Sequence, residues 1–224
     1  EEEKALKKIL PRTPLLTDTV TELFRHDLGM RGSLYTLDMT RLYKNQKYLQ
    51  SISLEYVKKI IVESEIEVQN LACMIGLMEG KLPESDLKII CNNYSVKEGL
   101  IRTKLFQFQN GNIQIRHMFY LGPLQQMAFL SSYRQHEIYT MLFDKIELLS
   151  VDKFCKTIKK IQLAIFLENR QYLGEKWKEV ISNLLFQEDY VLAQSLLKDV
   201  YNLMENDFSV SELFDIFLMS SYCC

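Results

Sequence analysis

Residues 177–200, WKEVISNLLFQEDYVLAQSLLKDV, hold two apolar stripes separated by a short polar segment. In both stripes the apolar residues recur three or four positions apart, which is the spacing of one face of an α-helix. The first stripe consists of Trp177, Val180, Ile181, Leu184 and Leu185, and the second of Tyr190, Ala193, Leu196, Leu197 and Val200. The stretch therefore predicts two consecutive antiparallel helices joined by a tight turn at Glu188-Asp189.

The same pattern extends outward over the whole chain. Ser209 followed by Glu212 is a capping-box pattern before the last apolar stripe, and Ser150 or Asp152 can cap the helix that begins near residue 153. The 224 residues include only 8 Gly and 4 Pro, too few for an all-β fold with many tight turns. We predict an all-α fold of about a dozen short helices. It is an irregular, α-solenoid-like array of antiparallel helical hairpins in one domain over 1–224, and the chain is expected to be a fragment of a larger protein.

Individual helix boundaries follow from caps and glycines. Ser53 and Ser95 are candidate N-caps, and Gly174 is a candidate helix break. Further helices are expected at about 123–133 and 136–149. Residues 104–116 are ambiguous, because they also form two alternating runs around Asn110-Gly111, a strong β-hairpin signal. The periodicity upstream favours helix–loop–helix in this segment, with a β-hairpin insertion as the alternative.

The stretch that begins at Trp177 resembles the helix–turn–helix unit of tetratricopeptide repeats, over about residues 177–204. With Ala193 as the small residue of the second helix, Trp177, Leu184, Tyr190 and Leu197 fall on the family's large packing positions. The related pentatricopeptide pattern fits the same window. Ile181, Val200 and Glu205 depart from the tetratricopeptide pattern, and stepping back by its period of about 34 residues does not reproduce the unit. The resemblance implies one helical-repeat unit within an irregular array.

The sequence offers little for catalysis or metal binding. His26, His117 and His136 are widely separated, and the chain has no Cys-x-x-Cys pair, Gly-x-Ser-x-Gly motif or P-loop. Cys73, Cys91 and Cys155 lie within apolar runs and are expected to be buried, with Cys155 on the core face of its helix. We therefore predict no enzymatic activity, no metal and no cofactor. The five unevenly spaced cysteines and the lack of a transmembrane segment predict a cytoplasmic or nuclear protein without membrane association.

Two clusters of basic residues stand out against a formal net charge of −2. They consist of Arg41, Lys44, Lys47, Lys58 and Lys59, interleaved with tyrosines, and of Lys153, Lys156, Lys159 and Lys160 on one helix. Basic residues beside aromatic rings can neutralise phosphates and stack bases. They are a candidate surface for single-stranded RNA or DNA, although a solvated helix face produces the same pattern.

The last helix is apolar on more than one side, since it carries Leu213, Phe214, Phe217 and Leu218 within six residues. Such a helix has to insert between other helices or dock a partner or a further repeat. We therefore predict a non-catalytic scaffold that binds a protein partner through a helical groove and this apolar helix, within a larger assembly. The alternative is a nucleic-acid-binding helical-repeat module that uses the basic faces.

Overall fold

The computed structural model describes residues 46–91 and 94–223, with side chains for 53–91 and 95–223. This part of the chain divides into two compact units: residues 46–84, 91 and 94–129, and residues 85–90 and 130–223. Its ten α-helices are α1 Gln46–Val62, α2 Ile66–Leu77, α3 Glu84–Ile90, α4 Tyr94–Arg102, α5 Leu121–Gln126, α6 Ser132–Lys145, α7 Lys153–Phe166, α8 Arg170–Phe186, α9 Tyr190–Met204 and α10 Val210–Tyr222. Its strands are β1 Lys81–Pro83, β2 Phe106–Gln109 and β3 Asn112–Ile115, and 3₁₀ turns cover Met118–Tyr120 and Ile146–Leu148.

The helical class that the sequence predicts is confirmed, with the addition of a small antiparallel sheet. The strand order is β1-β3-β2, and β3 pairs with both neighbours. The prediction of helix–loop–helix over 104–116 is therefore wrong, and the hairpin alternative is correct. Asn110 and Gly111 have φ values of 52° and 73°, which a type I′ hairpin turn requires at both central positions. Ile113 of β3, paired with Leu82 of β1, is fully buried, so the strand also supplies core.

The first unit packs α2 closely against α5. A Cβ atom on Gly76 of α2 would lie 2.6 Å from the Cβ of Leu124 in α5, so only glycine permits this approach. Ser53 lies inside α1 and is not a cap, since its Oγ donates a hydrogen bond to the carbonyl oxygen of Phe119 at 2.5 Å. The helix α4 begins at Tyr94, one residue before the proposed cap Ser95.

The second unit consists of helices that pack on their neighbours in sequence. The helix α7 contacts α6, α8 and α9, and α10 contacts both α8 and α9. Its core is formed by Ile158, Ile161, Ala164, Leu173, Trp177, Val180, Ile181, Leu184, Ala193, Leu196, Leu197, Val200, Met204 and Ile216. Helix pairs that cover each other's apolar stripes produce this arrangement. The continuous solenoid-like array and the single domain over 1–224 stay predictions.

The observed helix boundaries show which of the predicted caps and breaks are correct. Asp152 caps α7 by accepting hydrogen bonds from the N–H groups of Phe154 and Cys155, and Ser209 with Glu212 forms the expected capping box of α10. Gly174 does not break the chain; it lies inside α8, whose buried face continues on both sides of it. The helix expected at about 123–133 is wrong as well, because α5 ends where Met127 adopts a left-handed φ of 48° and α6 begins only at Ser132. The helix α6 ends at Lys145, so it lies four residues earlier in the chain than the helix expected at 136–149.

Candidate partner-binding groove

Two turns of the second unit are built in the same way, twenty residues apart. Residues 166–169 read FLEN and residues 186–189 read FQED. Glu168 and Glu188 both have positive φ, at 52° and 62°. The next residue in each turn caps the following helix: Asn169 accepts a hydrogen bond from Tyr172 N, and Asp189 accepts one from Leu192 N. The helices α8 and α9 therefore begin in equivalent ways.

The equivalence continues into the core. The buried side of α8 is formed by Leu173, Trp177, Val180 and Leu184, and the positions twenty residues later in α9 are Ala193, Leu197, Val200 and Met204, all buried. The two helices thus present corresponding faces to the core and to the outside. The resemblance at a period of about 34 residues did not reveal this spacing. The repeated Phe-x-Glu-Asn/Asp pattern is the signal in the sequence that could have found it.

A groove of about 840 Å³ runs between α9 and α10. It is lined by Val191, Gln194, Ser195, Leu197, Lys198 and Tyr201 from α9 and by Leu213, Ile216, Phe217 and Ser220 from α10. On each helix these positions recur three or four residues apart, so each wall is one helix face. Leu197 and Ile216 are buried and form the floor.

The walls of the groove carry apolar side chains that face solvent. Phe217 is 71% exposed on one wall and Val191 is 83% exposed on the other. Of the apolar residues that the sequence singles out, Leu213 and Phe217 line the groove, whereas Phe214 and Leu218 are exposed on α10 outside its lining. Val191 is not among the residues that the sequence singles out, because the spacing of apolar residues in α9 does not show which face of the helix stays uncovered.

The lining of the groove includes one charged and one phenolic side chain. Among the described residues that line it, Lys198 alone carries a formal charge, and it is exposed without an ion-pair partner in the part of the chain that the structure describes. The Tyr201 hydroxyl donates a hydrogen bond to Glu205 Oε1 at 3.1 Å. This hydrogen bond and the nearby carboxylate charge raise the pKa of Tyr201 above its ordinary value. The phenol therefore stays a neutral donor at the groove margin.

The basic residues of α7 are partly used inside the second unit. Lys160 Nζ lies 2.9 Å from Glu147 Oε1 and stands over the rings of Phe143 and Tyr172, with its side chain only 15% exposed. Lys156 Nζ donates a hydrogen bond to the backbone oxygen of Glu147 at 3.1 Å. Lys159 is half-buried and Lys153 is exposed. Two of the four lysines thus hold the 3₁₀ turn before α7 and do not form an open basic face.

The other basic cluster is only partly covered by the structure. Arg41 and Lys44 lie outside the described residues, and for Lys47 the backbone alone is described. Lys58 pairs with Glu55 across one helical turn at 3.8 Å, and Lys59 is half-buried on the same helix. Exposed pairs of this kind contribute about 0–1 kcal/mol to stability.

The side chains considered for chemistry are scattered. Cys73 is buried as expected and Cys91 is half-buried, but Cys155 is exposed, so its placement on the core face of α7 is wrong. The helix turns Ile158 and Ile161 inward, and Cys155, three residues before Ile158, falls near the edge of that stripe. Among the described residues, no group of three or more His, Cys, Asp or Glu side chains is arranged to hold a metal ion.

None of the helices in the described ranges has both the length and the apolar character needed to cross a membrane. Comparison of the chain with models of known protein families, with curated proteins and with solved structures finds no match.

Proposed function

We propose that this chain is a non-catalytic scaffold that binds a protein partner through the groove between α9 and α10. The observation that carries the proposal is the exposure of apolar side chains on both walls, Val191 on α9 and Phe217 on α10, beside a buried floor. Exposed apolar surface around a groove is typical of protein-binding sites, and a groove walled by two helices suits an elongated apolar ligand.

Burial of apolar side chains would supply the affinity of the groove for a partner. Burying an apolar side chain such as Phe217 completely contributes about 1.5–3 kcal/mol. A partner that covers Val191, Leu213 and Phe217 and inserts its own anchors gains several such increments, from which the cost of association, roughly 4–15 kcal/mol, is subtracted. Affinity therefore depends on how many apolar anchors the partner supplies. Such a module would act within a larger assembly, as one contact among several.

The described contacts favour a protein partner over single-stranded nucleic acid. Phosphate binding needs lysines that are available to the backbone of the ligand. Lys156 and Lys160 instead contact Glu147 within the chain. Size-exclusion chromatography with light scattering, with and without a mixed RNA pool, separates the two functions. The scaffold is expected to ignore RNA, whereas binding at low salt that is lost at high salt would favour the nucleic-acid function.

The scaffold function is tested with a library of helical peptides displayed on phage and selected against the folded chain. Phe217→Asp should weaken binding of the selected peptides by at least about tenfold, because it removes an apolar wall and adds a charge. Phe186→Asp is the matched control, since Phe186 is 89% exposed on α8 and does not line the groove. Equal binding by the two variants, or a selection that yields no binders, would contradict the proposal.

A further inference from the structure

We infer that the groove between α9 and α10 accepts an amphipathic helix of a partner protein that places a carboxylate against Lys198. The inference rests on the proposed function and deepens it by stating the secondary structure and the charge of the partner. Three observations within the second unit lead to it: the way successive helices pack, the equivalence of two lysines, and the use of the carboxylates on α10.

Successive helices of this unit fill the surface formed by the two helices before them. The helix α9 contacts both α7 and α8, and α10 contacts both α8 and α9. The surface between α7 and α8 and the surface between α8 and α9 are thus each covered by a helix. The groove between α9 and α10 is the next surface of the same kind. Its side-chain rows are therefore shaped for a helix, because ridges of side chains at helical spacing fit into grooves at helical spacing.

The charge of the partner follows from the twenty-residue equivalence of α8 and α9. Lys178 lies nine residues after the cap Asn169, and Lys198 lies nine residues after the equivalent cap Asp189. The Nζ of Lys178 forms an ion pair with the carboxylate of Asp215 in α10, the helix that covers α8 and α9. Lys198 occupies the same position on the wall of the groove between α9 and α10. A carboxylate on a helix in that groove would complete the equivalent pair.

The covering helix α10 indicates which pattern the partner carries. Asp215 comes directly before Ile216, which is buried, and Met219 and Cys223 are half-buried on the same side against the core. The pattern is an acid followed by apolar residues one, four and eight positions later. The groove extends over eleven residues of α9, from Val191 to Tyr201, and the ten steps of 1.5 Å between them span about 15 Å or three helical turns.

A second copy of this chain does not supply the carboxylate through α10. The Asp215 carboxylate is engaged by Lys178, and Glu212 Oε2 accepts hydrogen bonds from the backbone N–H and the hydroxyl of Ser209. Docking α10 of another copy would bring an apolar helix without an available acid to Lys198. The charge argument therefore favours a different protein with an acidic amphipathic helix over α10 of a second copy.

The test uses two synthetic peptides of about 14 residues that differ in one position. Both carry leucines at the apolar positions of the α10 pattern, and the residue before the first leucine is Asp in the acidic peptide and Lys in the basic peptide. Fluorescence anisotropy measures their binding to the full chain and to the variants Lys198→Glu and Lys153→Glu. Lys153 is an exposed lysine on α7 that does not line the groove, so its variant controls for net charge.

We expect the acidic peptide to bind the unmodified chain about fivefold more tightly than the basic peptide. The acidic peptide forms an ion pair with Lys198, whereas the basic peptide places a second positive charge beside it. Lys198→Glu should reverse this preference, and Lys153→Glu should leave it unchanged. If both peptides bind equally to the chain and to Lys198→Glu, the charge inference is overturned while the scaffold function stands. If neither peptide binds, or if light scattering shows that the chain self-associates through the groove, the helical partner is overturned as well.

Discussion

The carboxylate of Asp86 accepts two hydrogen bonds from Ser150, one from the backbone N–H at 2.8 Å and one from the hydroxyl at 2.5 Å. Asp86 lies on α3, is fully buried, and also accepts a weaker hydrogen bond from Ser85 at 3.3 Å. Ser150 lies three residues before Lys153, the first residue of α7. The pair therefore fastens the short helix α3 to the segment that leads into α7.

We expect Asp86→Ala to destabilise the second unit by about 2–3 kcal/mol, because the Ser150 N–H loses its charged acceptor and a polar cavity remains. Asp86→Asn keeps an acceptor oxygen and should cost less. Urea unfolding followed by fluorescence of Trp177, the only tryptophan of the chain, measures both changes in the second unit. Equal loss in the two variants would show that the hydrogen bonds to Ser150 contribute little.

Replacing glycine by alanine is expected to have opposite effects on the stability of the first unit at two positions. Gly76→Ala should destabilise the unit by more than about 2 kcal/mol, because the new Cβ would lie 2.6 Å from the Leu124 Cβ and the helices would have to separate. Gly122→Ala is the control: nothing lies within 4 Å of its Cβ position in α5, and alanine is the better helix former by about 1 kcal/mol. Thermal unfolding followed by far-UV circular dichroism should separate the two variants in sign.

The contrast between these glycines shows how far the sequence can predict the fold. Helical stripes and caps identified α7, α9, α10 and the part of α8 after Gly174, because each depends on residues that are close in the chain. The role of Gly76 depends on Leu124, almost fifty positions away, and cannot be found from local spacing. The hairpin at 106–115 is an intermediate case: Asn110-Gly111 signals it locally, but the preceding helical periodicity of α4 concealed where that helix ends.

The groove was partly predictable for the same reason. The apolar excess of α10 is visible in the sequence, so Leu213 and Phe217 could be named. Which neighbour forms the opposite wall depends on helix packing, and this left Val191 and Lys198 unidentified. The basic face of α7 was predicted from the spacing of its lysines, but Lys156 and Lys160 do not form an open surface. Both contact Glu147 in the turn at 146–148, and the spacing of the lysines does not reveal the position of that turn.

The capping box of α10 predicts a pH-dependent groove wall. Hydrogen bonds from Ser209 hold the pKa of Glu212 below its ordinary value of 4.5. The folded state thus favours the ionised carboxylate, so its contribution is fully present above the unfolded pKa and is lost as the pH falls through the lower folded pKa. We expect Ser209→Ala to cost about 1 kcal/mol at neutral pH and less at pH 3.

Hydrogen exchange of the α10 amides at pH 7, compared with unfolding measurements at pH 3 to 7, checks this expectation. Ser195→Ala is a suitable control, since Ser195 is exposed in the interior of α9 and caps no helix. A penalty for Ser209→Ala that stays constant from pH 7 to pH 3 would show that the Glu212 carboxylate does not take part in the cap.

Phe208 connects the core of the second unit to the loop between α9 and α10. Its ring lies 5.6 Å from that of Trp177 in an edge-to-face arrangement and is stacked on Tyr201 at 6.4 Å, measured between ring centroids. Phe208→Ala should therefore destabilise this unit by about 2–3 kcal/mol, since the side chain is half-buried and both ring contacts are lost.

The same change should expose Trp177 to water and loosen the end of the groove that Tyr201 lines. A red shift of the Trp177 emission at neutral pH, together with weaker binding of the groove peptides, is the expected result. Phe186→Ala provides the comparison, because its ring is almost fully exposed on α8 and its removal should change neither quantity. If Phe208→Ala shifts the emission but leaves peptide binding intact, the loop supports the core without fixing the position of α10.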